Sequence, residues 1–134
     1  APFMALHPTV YADLFGRLIA ERDVDCWLVN TGWTGGAYPA GERIKIAYSR
    51  ALVRAAMSGA FKGVSFTPDP VFKFQVPDHC PGVPDDVLQP RGTWHDPLAY
   101  DAKARELATL FSANFTEYAD NASPEVRTAG PVMP

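Results

Sequence analysis

Val10, Leu14, Phe15, Leu18 and Ile19 recur at intervals of three and four, with Arg17, Glu21 and Arg22 on the other side. That spacing predicts an amphipathic helix. His7-Pro8-Thr9 opens it, because proline in a first helical turn gives up no hydrogen bond, and Glu21-Arg22-Asp23 closes it. His7 thus reads as a helix-terminus residue and not as a catalyst. The period then changes. Asp25-Cys26-Trp27-Leu28-Val29 is a short, nearly continuous apolar run, which predicts a strand covered on both faces and, with the preceding helix, an α/β arrangement.

The run stops at Asn30 and gives way to a loop in which Gly32, Gly35, Gly36 and Gly41 alternate with Trp33 and Tyr38. Beyond it, Arg43 to Arg50 leads into a second helix, Ala51-Leu-Val-Arg-Ala-Ala-Met57, which Ser58-Gly59 terminates. Gly63 to Pro70 is rich in turn residues, and Val71 to Val76, with Phe72, Phe74 and Val76 alternating against Lys73 and Gln75, predicts a half-buried strand. Prolines at 77, 81, 84 and 90 then exclude long regular structure. The segment is expected to form a rigid strap anchored by Val83, Val87 and Leu88. Asp96 and Pro97 begin a long helix whose Tyr100, Ala104, Leu107, Phe111, Phe115 and Tyr118 form an apolar stripe expected in the core. Asp101 and Arg105 are expected to pair on its exposed side. Ser123-Pro124 can start one short helix in the tail.

At 134 residues and 47% apolar, the chain has the size and composition of one domain, with no repeat, low-complexity tract or linker. Its net charge of -3 and scattered Lys and Arg give no basic track for a nucleic acid or an anionic membrane. No apolar run reaches transmembrane length and no signal peptide is evident, so a cytoplasmic protein is expected. Cys26 and Cys80 occur in unlike contexts, which favours reduced thiols over a disulfide. The first residues, Ala1-Pro2-Phe3-Met4-Ala5-Leu6, lack an initiator Met and are already apolar, as in a piece of a longer polypeptide.

The chemical inventory is short. There is no GxSxG elbow, no HExxH, no P-loop, no GxGxxG fingerprint and no cluster of His and carboxylates at metal spacing, so neither catalytic nor metal-ligating residues are assigned. His79 and Cys80 in the strap are not assigned a catalytic role. What remains is the glycine-aromatic loop at the carboxyl end of the expected strand, where open α/β sheets commonly bind ligands. It reads either as a ligand site or as a long surface connection with two aromatics folded back on the core. Arg43 can stack on a purine and the Ser49 hydroxyl can hydrogen-bond it, so a base-binding half-site is chemically sensible.

Leu28-Val-Asn30-Thr-Gly-Trp33-Thr-Gly-Gly, Gly41-Glu-Arg43-Ile44 and Ser49-Arg50-Ala51-Leu52 together resemble the C-terminal region of ATP-dependent phosphoenolpyruvate carboxykinases. The resemblance continues through Asp69-Pro70-Val71-Phe72, Cys80-Pro81-Gly82-Val83-Pro84, Pro90-Arg91-Gly-Thr93-Trp94 and Asn114-Phe115. It also takes in Pro2-Phe3-Met4 and Leu6-His7-Pro8, so that it covers essentially the whole chain. It implies that residues 1–134 form the C-terminal portion of a mixed α/β nucleotide-binding domain, with helices packed on a small sheet and a long C-terminal helix. It further implies a gluconeogenic parent enzyme that converts oxaloacetate and ATP to phosphoenolpyruvate, ADP and carbon dioxide, with magnesium and manganese.

The resemblance carries Arg43, Ile44 and Ser49 over as adenosine contacts. The family's P-loop, metal ligands and oxaloacetate-binding arginines have no counterpart in these residues, so the chain alone is expected to be inactive and to act with the remainder of the enzyme. Three departures stand out. Pro39 and Ala40 replace the usual Gly or Val, Glu42 replaces a Lys, and Ser49 replaces a Thr while keeping its hydroxyl. Glu42 reverses a charge beside Arg43, which would weaken ATP binding or pair with Arg43 when no ligand is present. The rival reading is a stand-alone, non-catalytic binding or interaction module.

Overall fold

A computed structural model of the chain describes residues 5–132. The Ala1 to Met4 opening, with the Pro2-Phe3-Met4 portion of the resemblance, lies outside the described residues. Within them the architecture is mixed: helices accompany two small antiparallel sheets.

Helix α1 (Pro8–Arg22) begins at the predicted place, with His7 as its N-cap, and stops where Asp23 turns left-handed at φ 49°. Its apolar stripe is regular, yet none of its residues is buried. The segment after it corrects the strand expected over Asp25–Val29. That stretch pairs with no other strand among the described residues, and Leu28 is 79% exposed. An apolar run with no neighbour to complete its hydrogen-bond ladder remains an irregular extended segment.

The glycine-aromatic loop forms a hairpin. Strand β1 (Trp33–Thr34) pairs antiparallel with β2 (Glu42–Arg43), placing Trp33 opposite Arg43 and Thr34 opposite Glu42. Gly41 permits the tight return, since a Cβ there would run into the carbonyl oxygens of Thr34 and Gly36. Trp33 packs edge-on against Tyr38 at 5.0 Å between ring centroids, and both rings remain exposed, so the two aromatics fold on each other and not on the core.

Helix α2 (Ile46–Ser58) starts five residues before the expected Ala51 and closes as predicted, with Gly59 left-handed at φ 72° and its N–H donating to the Ala55 carbonyl. Strand β3 (Phe66–Pro68) pairs with β4 (Gln75–Pro77). The strand expected over Val71–Val76 is therefore wrong for its first four residues. Asp69 Oδ1 accepts from the backbone N–H groups of Val71 (2.9 Å) and Phe72 (2.6 Å), and this side-chain turn, with Lys73 at φ 62°, bends the chain before Gln75.

The proline-rich strap carries two single-turn helices, α3 (Asp85–Leu88) and α4 (Pro90–Thr93), and is anchored by buried Val83 and Leu88 and partly buried Val87, as its sequence suggests. Ala55 of α2, Phe61, Cys80, Val83 and Leu88 make the core, with Tyr48, Ala51, Leu52 and Ala56 packed against it. Both thiols are free, and the one in the run expected to be covered on both faces is the exposed one. Cys26 is exposed, while Cys80 is fully buried and its thiol pKa is pushed up by burial.

Helix α5 (Pro97–Phe115) is capped by Asp96, which accepts from the Leu98 N–H at 2.8 Å. It ends at Phe115, short of Tyr118, and its expected core stripe is only partly covered: Ala104 is buried, whereas Leu107 and Phe111 are exposed, and Ala108, outside that stripe, is buried as well. Helix α6 (Pro124–Thr128) starts at the Ser123 cap as expected. Asp101 does not choose Arg105. It receives a two-pronged contact from Arg91 of α4, Nε at 2.8 Å and Nη2 at 3.0 Å, which ties α4 to α5.

The hydrogen bonds from Arg91 hold the Asp101 carboxyl below its ordinary range. Because the folded value is the lower one, the pair stabilises the fold above the unfolded carboxylate value of about 3.9, and that contribution is lost as pH falls through the lowered value. Asp101→Asn is thus expected to shift the urea midpoint downward near neutral pH and to leave it unchanged at the foot of the acid limb. A difference that stays constant across the pH range would contradict this.

Candidate functional site

The hairpin and the start of α2 together build a groove. Strand β2 delivers Arg43, and the next residue, Ile44, is fixed by its own N–H, which donates to the Gly32 carbonyl at 2.9 Å. Lys45 then caps α2 in an extended conformation, and the Ser49 N–H donates back to the Lys45 carbonyl at 3.2 Å. These turns bring Arg43, Ile44 and Ser49 to one cavity of about 630 Å³, lined also by Thr31, Ile46, Arg50, Val53 and Arg54.

Helical periodicity explains the additional members. Tyr48, Ala51, Leu52, Ala55 and Ala56 turn to the core. Ile46, Ser49, Arg50, Val53 and Arg54 follow the i, i+3, i+4, i+7, i+8 rhythm of another face and turn to the groove. Sequence reasoning passes over Arg50, Val53 and Arg54 as site residues. The available signal was two arginines four apart on the same face as Ser49, a like-charge spacing that slightly destabilises a bare helix.

Three guanidinium groups and no carboxylate line the groove, and none of the three is in an ion pair among the described residues. The lining therefore favours an electron-rich or anionic ligand. Ile44, Ile46 and Val53 offer apolar contact to a flat ring, Arg43 offers a stacking plane, and the Ser49 and Thr31 hydroxyls can donate or accept. Such a combination suits a heteroaromatic base better than a sugar or a simple acid.

Glu42 does not neutralise Arg43. Successive residues of a strand point to opposite faces, and no Glu42–Arg43 ion pair forms among the described residues. The Glu42 carboxylate thus lies on the hairpin face turned away from the Arg43 side chain. Trp33 and Tyr38 do not line this groove. Trp33 instead borders a larger, mainly apolar cavity of about 1020 Å³, together with Phe15, Trp27, Leu28, Phe74 and Leu107.

The remaining candidate groups do not converge on the groove. His79 Nδ1 lies 2.8 Å from Asp85 Oδ1 on the exposed surface of the strap, and Cys80 is sealed in the core. Among the described residues no three His, Cys, Asp or Glu side chains cluster as a metal site would require, and no helix is long and apolar enough to cross a membrane.

The hairpin itself is held from a distance. Thr93 at the end of α4 meets both Thr34 and Gly35 of the loop, with Oγ1 3.2 Å from Thr34 Oγ1 and accepting from the Gly35 N–H at 3.1 Å. Sequence reasoning missed this contact, which joins residues almost sixty positions apart.

Comparison with known proteins agrees with the resemblance noted in the sequence. A family model described as phosphoenolpyruvate carboxykinase matches residues 1–86. The chain is 55% identical over 126 residues to the phosphoenolpyruvate carboxykinase (ATP) of Geotalea uraniireducens, covering 94% of this chain and 24% of that protein. It is 54% identical over 133 residues to phosphoenolpyruvate carboxykinase (ATP) 2 of Moorella thermoacetica, covering 99% of this chain and 25% of the relative. Against phosphoenolpyruvate carboxykinase (ATP) 1 of Salinibacter ruber it is 53% identical over 132 residues, covering 98% and 25%. The chain spans about a quarter of the length of the curated relatives it matches.

Proposed function

Because the chain belongs to the ATP-dependent phosphoenolpyruvate carboxykinase family, we propose that it supplies the adenosine side of a nucleotide site to an enzyme that converts oxaloacetate and ATP to phosphoenolpyruvate, ADP and carbon dioxide. In this reading residues 1–134 are part of the nucleotide-binding domain of that enzyme. Arg43 stacks on the base, Ile44 packs against it and the Ser49 hydroxyl hydrogen-bonds it. The observation that carries the reading is the convergence of these three side chains, from β2 and α2, on one carboxylate-free groove.

Phosphoryl transfer needs a phosphate cradle and hard oxygen ligands for divalent cations. No metal-ligating cluster occurs among the described residues, and in this reading magnesium and manganese chemistry and oxaloacetate binding belong to the remainder of the enzyme. The chain incubated with oxaloacetate and ATP is expected to form no ADP above background while still binding ADP. Turnover by the chain itself would overturn the division of labour, and failure to bind ADP would remove the half-site.

The surface supports a partner for the chain. A compact monomer of 14.6 kDa is expected to expose about 6,900 Å², whereas this chain exposes 9888 Å². The exposed residues include Val10, Leu14, Phe15 and Leu18 of α1 and Leu107, Leu110 and Phe111 of α5. Apolar helix faces left exposed in this way ordinarily mark an interface, and the remainder of the enzyme is the occupant proposed for them. Alone in solution the chain is then expected to self-associate, with light scattering reporting a mass well above 14.6 kDa. A monodisperse monomer at all concentrations would count against both this interface and the rival reading of a stand-alone interaction module.

A further inference from the structure

We infer that Thr93 is a positioning residue for the groove, its hydroxyl latching the β1–β2 hairpin that carries Arg43 to the helical α4–α5 layer. The inference rests on the reading of the groove as the adenosine site for its functional meaning, and on hydrogen bonds alone for its structural meaning.

The latch follows from the valence of one hydroxyl, which has a single donor hydrogen and two acceptor lone pairs. Thr93 Oγ1 donates to the Pro90 carbonyl at 2.8 Å. Its lone pairs then face the Gly35 N–H at 3.1 Å and the Thr34 hydroxyl at 3.2 Å, so every bond the group can make is made. Gly35 is held at φ +74°, a conformation that favours glycine, and a Cβ on it would stand in contact with the Thr93 carbonyl oxygen at 3.4 Å, so the loop lies directly against α4.

Both ends of the latch are tied down. On one side Thr34 pairs with Glu42, Trp33 pairs with Arg43, and the Ile44 N–H reaches the Gly32 carbonyl at 2.9 Å, so the position of β1 sets the position of Arg43 and Ile44. On the other side Arg91, two residues before Thr93, grips Asp101 of α5. A hairpin of two paired residues per strand has little stability of its own. Its geometry needs an external fixed point, and among the described residues Thr93 is the side chain that gives Gly35 and Thr34 one. Thr93 does not line the groove and acts on it only through the hairpin.

The test compares Thr93→Val with Thr93→Ser and the unsubstituted chain in amide hydrogen exchange and in ADP titration. Valine keeps the shape and strands the Gly35 N–H. The expected result is exchange at Gly35 and Ile44 at least tenfold faster in Thr93→Val, unchanged exchange at Ala55 in the core, an ADP affinity several-fold weaker, and recovery of both the local exchange and the affinity by Thr93→Ser. Unchanged exchange at Gly35 and Ile44 would overturn the latch. Faster exchange everywhere, Ala55 included, would show Thr93 to be a general stability residue and would overturn it as well. Faster local exchange with unaltered ADP affinity would overturn the positioning role while leaving the adenosine site standing. If no variant and not the unsubstituted chain binds ADP, the adenosine reading fails and the exchange data decide the latch by themselves.

Discussion

Phe61→Ala is expected to destabilise the fold by about 3–5 kcal/mol, the usual range for removing a buried aromatic ring. Phe61 lies just past the α2 cap and is 7% exposed. It stacks on Trp27 at 4.7 Å between centroids and meets Phe66 edge-on at 6.4 Å. It therefore connects the irregular segment before the hairpin, the end of α2 and strand β3. The substitution removes the transfer free energy of the ring, leaves a cavity beside Cys80, Val83 and Leu88, and breaks two aromatic contacts. The core has few members to redistribute the loss. Against a total stability of roughly 5–15 kcal/mol for ordinary domains, such a loss consumes a large share, and the thermal midpoint should fall by roughly 10–25 °C for a chain of this size. Urea unfolding followed by tryptophan fluorescence checks it, since Trp27 reports directly on the lost stack. A shift of less than about 1 kcal/mol would mean that Phe61 is not the centre of this core.

The elements that the sequence predicts well are those decided by local chemistry. Helices α1 and α5 announce themselves through apolar spacing and through proline in the first turn, and α5 and α6 add Asp96 and Ser123 as caps. The stop of α2 at Gly59 is equally local, since it needs only a residue that tolerates φ 72°.

The strands were less legible because none of them is decided locally. Trp33–Thr34 and Glu42–Arg43 are strands only because they meet across a loop, and Asp25–Val29 is not one because no neighbour pairs with it among the described residues. The failure at Val71–Phe74 was avoidable in principle. Asp69 between two prolines is a strong turn residue, and its carboxylate captures two backbone N–H groups that a strand would have used.

Burial is less legible than helix formation. The apolar stripe of α5 is expected in the core, yet Leu107 and Phe111 lie on the surface, as does Phe15 on the apolar face of α1. Periodicity shows that a face wants covering; it does not show what covers it. In the groove, Arg43, Ile44 and Ser49 could be named from the resemblance, while Arg50 and Arg54 had to wait for the helix to show which side it turned inward.

Loss of Arg43 is the second large effect expected. A guanidinium stacked on a base in a partly desolvated groove contributes about 1–2 kcal/mol through cation–π attraction, equivalent to roughly 5–30-fold in affinity. Ser49→Ala removes one hydrogen bond, worth about 1 kcal/mol, and is expected to weaken binding less. Arg43→Lys keeps the charge but loses the flat stacking surface, so it should fall between the parent chain and Arg43→Ala. Since the proposed site covers only the adenosine side, the parent chain is expected to bind weakly, with a dissociation constant on the order of 1 mM, about −4.1 kcal/mol.

The claim that these residues form an adenosine half-site therefore meets its most direct test in a titration of the chain with ADP, with Arg43→Ala beside it. Saturable binding by the parent chain is expected, with a dissociation constant raised roughly 5–30-fold in the variant. Equal affinities, or no saturable binding by the parent chain, would contradict it.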